Sequence, residues 1–219
     1  MKPRLLDLFS GAGGAGMGYS LAGFDVTGVD CAPQKRYPFA FIQADALEYI
    51  AAHGHEYDAI HASPVCKGYS TLSALWPGRD YPDQVASVRA LLQGTGKPYV
   101  IENVLGAPLQ NPTELCGLMF GLRLYRHRRF ETSFPLALLL HPPHHARVTK
   151  AGRPIGEGQI MTVVGHFSGV SHAQAAMGIN WMSRAELSQA IPPAYTKWIG
   201  EQLLAALGGD PGLLLREGE

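Results

Sequence analysis

The sequence has no surplus of either charge, few cysteines and no long apolar run, and each shortage narrows what the chain can be. Lysine plus arginine equal aspartate plus glutamate at 18 each, so no overall basic field advertises nucleic acid, although Arg123, Arg126, Arg128 and Arg129 gather locally. Three cysteines, Cys31, Cys66 and Cys116, are odd in number and lack paired metal-ligand spacing. They exclude a disulfide framework and point to a reducing compartment, the cytoplasm. No stretch approaches the roughly 20 apolar residues that span a bilayer. Met1-Lys2-Pro3 runs into a strand pattern rather than a leader, so no membrane partner is expected. There is no internal repeat. What remains is 219 residues with 46% hydrophobic and 16% charged content, the composition of one globular domain, expected to be a monomer.

What the chain does have is glycine in one telling place. Leu5-Leu6-Asp7-Leu8-Phe9 reads as a buried strand, and Ser10-Gly11-Ala12-Gly13-Gly14-Ala15-Gly16 breaks it into a turn that leads into a helix over Gly14 to Ala22, ended by Gly23. Phe24 to Asp30 follows as a strand closed by an acid. Ala46 to His53 is helical before the strand Tyr57 to Ala62, Asp83 to Gln93 is helical, and Tyr99-Val100-Ile101 is a strand that stops at Glu102-Asn103-Val104. Strand–helix alternation of this kind predicts an α/β fold, Rossmann-like, with a mostly parallel sheet and helices on both faces. Ligands in such folds collect at the carboxyl ends of the strands, where Asp7, Asp30, Asp45, Cys66 and Glu102 fall. Ser63 to Pro82, with three prolines and two glycines, is a long loop of the kind that carries function. After a basic stretch, residues 131–171 form a small irregular insert rich in His, Pro and Gly. Helical patterns return at Ala173 to Gly178, Ser183 to Gln189 and Pro193 to Leu207, and 210–219 is a flexible tail. The expected division is therefore a main domain of 1–130 with 172–209, and the insert.

The turn fits G-x-G-x-x-G after a strand and before a helix, with Asp30 ending the next strand. By itself this is a nucleotide-type cofactor site, dinucleotide or adenosyl, and its bland counterpart is a tight turn that binds nothing. Asp30 can accept both ribose hydroxyls and Asp45 an adenine amino group, or either acid is a helix cap or a solvated loop residue. Cys66, on a Pro/Gly loop beside Lys67, is a candidate nucleophile because a neighbouring cation lowers a thiol's pKa; a lone cysteine is as readily a small core residue. Glu102 at a strand end suits general-acid work or a structural hydrogen-bond hub.

In chain order, Asp7-Leu8-Phe9-Ser10-Gly11-Ala12-Gly13-Gly14, Pro64-Val65-Cys66, Glu102-Asn103-Val104, Arg126-His127-Arg128 and Gln189-Ala190-Ile191-Pro192-Pro193 resemble the DNA cytosine carbon-5 methyltransferases, particularly small phage-type members. The resemblance spans nearly the whole chain except the insert, and it implies S-adenosyl-L-methionine as cofactor, DNA as partner, and, for a phage-encoded member, the bacterial cytoplasm. It implies that Cys66 adds to carbon 6 of cytosine, that Glu102 binds the ring at N3 and the exocyclic amine, and that Arg128 holds the base carbonyl. It places the cofactor among Asp7, Phe9, Ser10, Gly11, Ala12, Gly13, Gly14, Asp30, Cys31, Asp45, Ala46, Pro64, Lys67, Gln189 and Ala190. Carbon 6 is reached only on a single strand or on a base turned out of the duplex.

Two departures stand out. The family has a second proline before the nucleophile and glutamine after it, where this chain has Val65 and Lys67, and it has glycine-asparagine where this chain has Ser188-Gln189. Drift accounts for both, with Lys67 on a DNA phosphate. A sharper alternative is that Lys67 and Gln189 meet an extra carboxylate on carboxy-S-adenosyl-L-methionine, giving carboxymethylated cytosine. The same chemistry on RNA, or a binding protein without turnover, are further alternatives. An insert this short implies few base contacts. For His141-Pro142-Pro143-His144-His145 no metal is expected, because the histidines have no partner pair at ligand spacing in the sequence.

Overall fold

The structure, a computed structural model, describes residues 1–65, 84–149 and 152–208. Cys66, Lys67 and most of the long loop lie outside the described residues, as does the expected tail.

Among the described residues the strands are β1 (Arg4–Leu8), β2 (Asp25–Asp30), β3 (Ala40–Gln43), β4 (Ala59–Ala62), β5 (Tyr99–Asn103), β6 (Thr113–Leu115) and β7 (Arg128–Thr132), in one sheet ordered β3-β2-β1-β4-β5-β7-β6. Strands β3 to β5 around β1 are parallel, in registers such as Leu6 with Thr27 and Leu6 with Ile60. β7 runs antiparallel to both β5 and β6, with Glu102 opposite Phe130. The helices are α1 (Gly14–Ala22), α2 (Ala46–His53), α3 (Gln84–Gly94), α4 (Val170–Met177), α5 (Arg184–Gln189) and α6 (Pro193–Gly208). This is the Rossmann-like, mostly parallel arrangement that the alternation predicts, and no described helix is long and apolar enough to cross a membrane.

Two apolar layers sandwich the sheet. On one face Leu5, Val26 and Val100 meet Tyr19 of α1, Phe24 just after it, and Tyr195, Ile199 and Leu203 of α6. On the other, Leu6, Leu8, Ile60 and Ile101 meet Ile50, Val88 and Leu92 from α2 and α3. Opposite faces of one strand feed opposite layers because side chains alternate along it. The α1–α6 contact is close because Gly18 has no Cβ: one built there would stand 2.0 Å from Thr196 Oγ1. Thr196 uses that approach to donate its hydroxyl to the Ala15 carbonyl at 2.8 Å. A third cluster, with Leu124, Met161, Val163, Phe167, Met177 and Leu187, joins the segment after β7 to α4 and α5.

The two antiparallel strands are absent from the sequence expectation. β7 carries Arg128, Arg129 and Glu131, and it is a strand because pairing and ion pairs supply what its pattern lacks. Glu131, almost fully buried, accepts two bonds from Arg89 at 2.7 Å and the Gln110 N–H at 2.7 Å.

Candidate active site

The carboxyl ends of β1, β2, β4 and β5 form one edge, and the expected cofactor residues divide along it. At the end of β1 the chain turns through Phe9, in the left-handed region at φ 57°, which a non-glycine residue enters at a cost of about 1 kcal/mol or more. Gly11 follows at φ 49°, and its N–H donates to Asp30 Oδ2 at 3.0 Å. Asp30 Oδ1 accepts from Ala32 N at 2.9 Å, so one carboxylate ties the glycine turn to the end of β2.

Asp7 is buried beneath this turn. Tyr37 donates its hydroxyl to Asp7 Oδ2 at 3.0 Å, and the Gly16 N–H also bonds the carboxylate. Burial, together with the nearby Asp30 charge, outweighs these bonds and raises the carboxyl to about 8. Asp7 Oδ1 and Ser10 Oγ, both buried, have no hydrogen-bond partner among the described residues. Groups of this kind normally find one, and two of them beside a glycine turn fit the polar end of a ligand.

The glycines do different jobs. A Cβ on Gly28 would lie 2.3 Å from Tyr37 Cζ, one on Gly16 2.8 Å from the Tyr37 hydroxyl, and one on Gly13 2.8 Å from Pro38. These three make room for the Tyr37–Pro38 segment. A Cβ on Gly14 would strike the Ile191 carbonyl at 2.5 Å, which is how the Gln189-to-Pro193 stretch comes to lie against the turn. Only at Gly11, within this group, is the space open within 4 Å. Trp181, which the sequence reading passed over, donates its indole N–H to the Ala12 carbonyl at 2.9 Å.

Other expected cofactor residues sit less directly. Asp45 caps α2, accepting Leu47 N at 2.8 Å and Glu48 N at 3.1 Å, both on Oδ1, while Ala46 is buried in the α2 layer. Cys31 is exposed, and its carbonyl accepts from Gln43. Gln189 ends α5 on the surface, and Ala190 N donates to Glu186 O at 3.0 Å.

The second half of the edge lies two strands away from β1, about 10 Å at ordinary strand spacing. Glu102, buried at the end of β5, faces Arg128 of β7 with Nε 3.0 Å from Oε1. Arg128 also donates to the His127 carbonyl at 2.8 Å. Asn103 donates to the Pro64 carbonyl at 3.0 Å and so anchors the start of the loop that carries Cys66. Arg126, buried, donates to the carbonyls of Val163 at 2.5 Å and Ser188 at 3.1 Å, tying the segment after β7 to α5.

Behind Glu102 runs a buried chain that sequence reasoning missed. The Tyr19 hydroxyl lies 3.0 Å from His61 Nδ1, His61 Nε2 lies 3.0 Å from Ser63 Oγ, and the Ser63 hydroxyl bonds Glu102. Burial pushes His61 down to about 3, so its ring is neutral. A carboxylate facing Arg128 can only accept, so the donors run in one direction: Tyr19 O–H to Nδ1, Nε2–H to Ser63, and Ser63 O–H to Glu102. Burial raises Glu102 above the ordinary carboxyl range, although Arg128, Ser63 and Arg126 pull it back. A histidine inside a strand looks like any core residue, and only the fold puts it between Tyr19 and Ser63.

A separate cavity of about 530 Å³ is lined by Leu122, Arg123, Ile155, Met161 and His172 among others, and none of Asp7, Gly11, Asp30 or Glu102 borders it. The histidines of the insert also depart from expectation. His141 and His144 find partners in His127 and Cys116, which the sequence places far from them, and only His145 of the trio stands outside this cluster.

No protein-family model and no curated protein matches the chain. Solved structures do. A protein described as a DNA modification methyltransferase encoded within an E. coli prophage superposes with a TM-score of 0.65 at 13% identity, over 95% of this chain and 100% of the other. The S. pombe Dnmt2 methyltransferase gives 0.65 at 12% identity over 94% and 99%, and the Entamoeba histolytica methyltransferase EhMeth 0.61 at 12% over 94% and 99%. Likeness at such identity establishes the fold.

Proposed function

We propose that this chain transfers a methyl group from S-adenosyl-L-methionine to carbon 5 of cytosine in DNA. The observation that carries the reading is the pairing of two half-sites on one sheet edge. One is a glycine turn with two unpaired buried oxygens, and the other is a buried Glu102 held against Arg128 beside the loop that leads to Cys66.

The cofactor fits the first half. Asp7 Oδ1 and Ser10 Oγ suit its ammonium group, the open face of Gly11 its methionine part, and Asp30 its ribose, while Phe9 offers a ring toward the adenine. Bound there, it supplies an electrophilic methyl group.

In the second half, Cys66 as a thiolate forms a bond to carbon 6 of cytosine. Glu102, which burial raises above the ordinary carboxyl range, takes up a proton as the base docks and passes it to N3, so the ring electrons move toward carbon 5 and make it nucleophilic. Arg128 holds the base carbonyl and offsets charge that develops on it. After transfer the carbon-5 proton leaves to a base, the carbon–sulfur bond breaks, and N3 returns its proton to Glu102. The Tyr19–His61–Ser63 chain holds the Glu102 carboxyl in one orientation throughout. The domain division fits this use: residues 1–130 and 172–209 form the reaction frame, and 131–171 meet the nucleic acid as a monomer's recognition segment. The carboxymethyl alternative rests on Lys67, outside the described residues, so plain methyl is the reading carried here.

Incubation with DNA containing 5-fluorocytosine tests the mechanism, because fluorine at carbon 5 cannot leave as a proton and the adduct persists. A cofactor-dependent, denaturation-resistant complex, lost in Cys66→Ala, is expected. No complex on DNA would overturn the reading, and a complex formed only on tRNA would move it to RNA.

A further inference from the structure

Cys116 immediately follows β6 and opens a 3-10 turn over Gly117–Phe120, His127 immediately precedes β7, and His141 and His144 lie in the segment beyond it. Their donor atoms converge. His127 Nε2 lies 3.0 Å from His141 Nε2, His144 Nε2 lies 3.2 Å from His141 Nε2, and Cys116 Sγ lies 3.5 Å from His144 Nε2. All four donors stand within 4.8 Å of one another.

Hydrogen bonding alone accounts poorly for this meeting. A neutral imidazole nitrogen is either a donor or an acceptor, so the single Nε2 of His141 cannot donate to one neighbour while accepting from the other. Three Nε2 atoms and a sulfur around one point are the donor set of a cation. Zinc bonds of 2.0–2.1 Å to nitrogen and 2.3 Å to sulfur put tetrahedral donors about 3.3 Å apart for a nitrogen pair and about 3.6 Å for nitrogen and sulfur. These three separations lie within about 0.3 Å of those values, and the remaining pairs, none wider than 4.8 Å, have to close by at most about 1.5 Å.

We propose that Cys116, His127, His141 and His144 bind a structural zinc-class ion. Imidazole and thiolate together select zinc over magnesium or calcium, and four protein donors leave no open position, which marks a structural site rather than a catalytic one. Burial raises the Cys116 thiol, while backbone N–H bonds from Leu118, Arg126 and Gly117 to its sulfur fix where it points. Tyr125 packs its ring against both His127 and His144, at 4.7 and 4.8 Å between centroids.

The ion would do specific work. Residues 135–148, which carry His141 and His144, bury no side chain fully, with Leu138 at 89% and Leu140 at 79% exposure. A bond from His141 and His144 to Cys116 and His127 staples this segment to the outer edge of the sheet, one residue from Arg128. Metal binding at such a site adds directly to the stability of the structure it closes. The inference stands on these four side chains and is independent of the methyl-transfer reading.

The test uses the full chain produced with zinc supplied, with metal measured by mass spectrometry after desalting, and cobalt exchanged in for spectroscopy. Stoichiometric zinc is expected, falling to trace in the His141→Ala, His144→Ala double variant and unchanged in His145→Ala, a neighbouring histidine outside the cluster. The cobalt form should show a tetrahedral ligand-field spectrum with thiolate charge transfer, and Cys116→Ser should lose the charge-transfer band. His141 is exposed, so its single replacement keeps the core and must by itself weaken zinc retention. Trace zinc in the wild-type chain, or zinc that survives the double substitution, overturns the proposal.

Discussion

Replacing Asp7 by asparagine should change how stability depends on pH, and in a calculable direction. Burial holds the folded-state carboxyl at about 8, whereas an unfolded chain titrates near 3.9. Because the folded pKa is the higher, the native state holds the extra proton between these limits. The stability it contributes is complete below the unfolded pKa and is lost as pH rises through the folded one. The slope approaches about 1.4 kcal/mol per pH unit. With an unfolding entropy of about 2 cal/mol/K per residue, a chain of this length loses about 3 °C in melting midpoint per unit. Asparagine keeps an oxygen for the Tyr37 hydroxyl and cannot ionise. Thermal melts from pH 5 to 8 should therefore show the wild-type midpoint falling by about 3 °C per unit relative to Asp7→Asn. Saturating S-adenosyl-L-methionine, with its ammonium at Oδ1, should flatten the wild-type slope and bind more tightly as pH rises toward about 8. Parallel wild-type and variant slopes would refute the assignment of a buried protonated carboxyl, and a slope indifferent to cofactor would refute its role in binding.

Other substitutions separate structure from site. Gly28→Ala drives a Cβ into the Tyr37 ring and should cost about 1–3 kcal/mol in denaturant unfolding, whereas Gly11→Ala meets no atom within 4 Å and should cost about 1 kcal/mol while weakening cofactor binding about tenfold by calorimetry. Tyr19→Phe leaves His61 Nδ1 without its donor and should lower stability by about 1–2 kcal/mol, with a measurable shift in the alkaline limb of the pH–rate profile, where Glu102 loses the proton it passes to N3. Glu131→Ala removes the buried carboxylate that faces Arg89 and should cost about 3–5 kcal/mol by the same unfolding assay.

Local signals carried the parallel half of this fold. The apolar runs of β1 and β4, the glycine stops of α1 and the Asp45 cap of α2 each act over a few residues, so each is visible in sequence. The antiparallel strands were not visible, because Arg128, Arg129 and Glu131 look like a solvated stretch until Glu102, Glu114 and Arg89 come beside them from elsewhere in the chain. The same holds for the site. The glycine turn was legible as a cradle, but the fold alone shows that Gly16 and Gly28 serve Tyr37 while Gly11 faces open space. The histidine cluster is the extreme case, with His141 and His144 close in sequence but His127 and Cys116 reached only through the pairing of β6 with β7.

Nucleoside mass spectrometry of duplex DNA after incubation with methyl-labelled S-adenosyl-L-methionine tests the central claim most directly. Label in 5-methylcytosine is expected with the wild-type chain, with Glu102→Gln reduced about 10²- to 10⁴-fold despite an unchanged fold. Unmodified cytosine in DNA that the protein demonstrably binds, with cofactor bound, would contradict it.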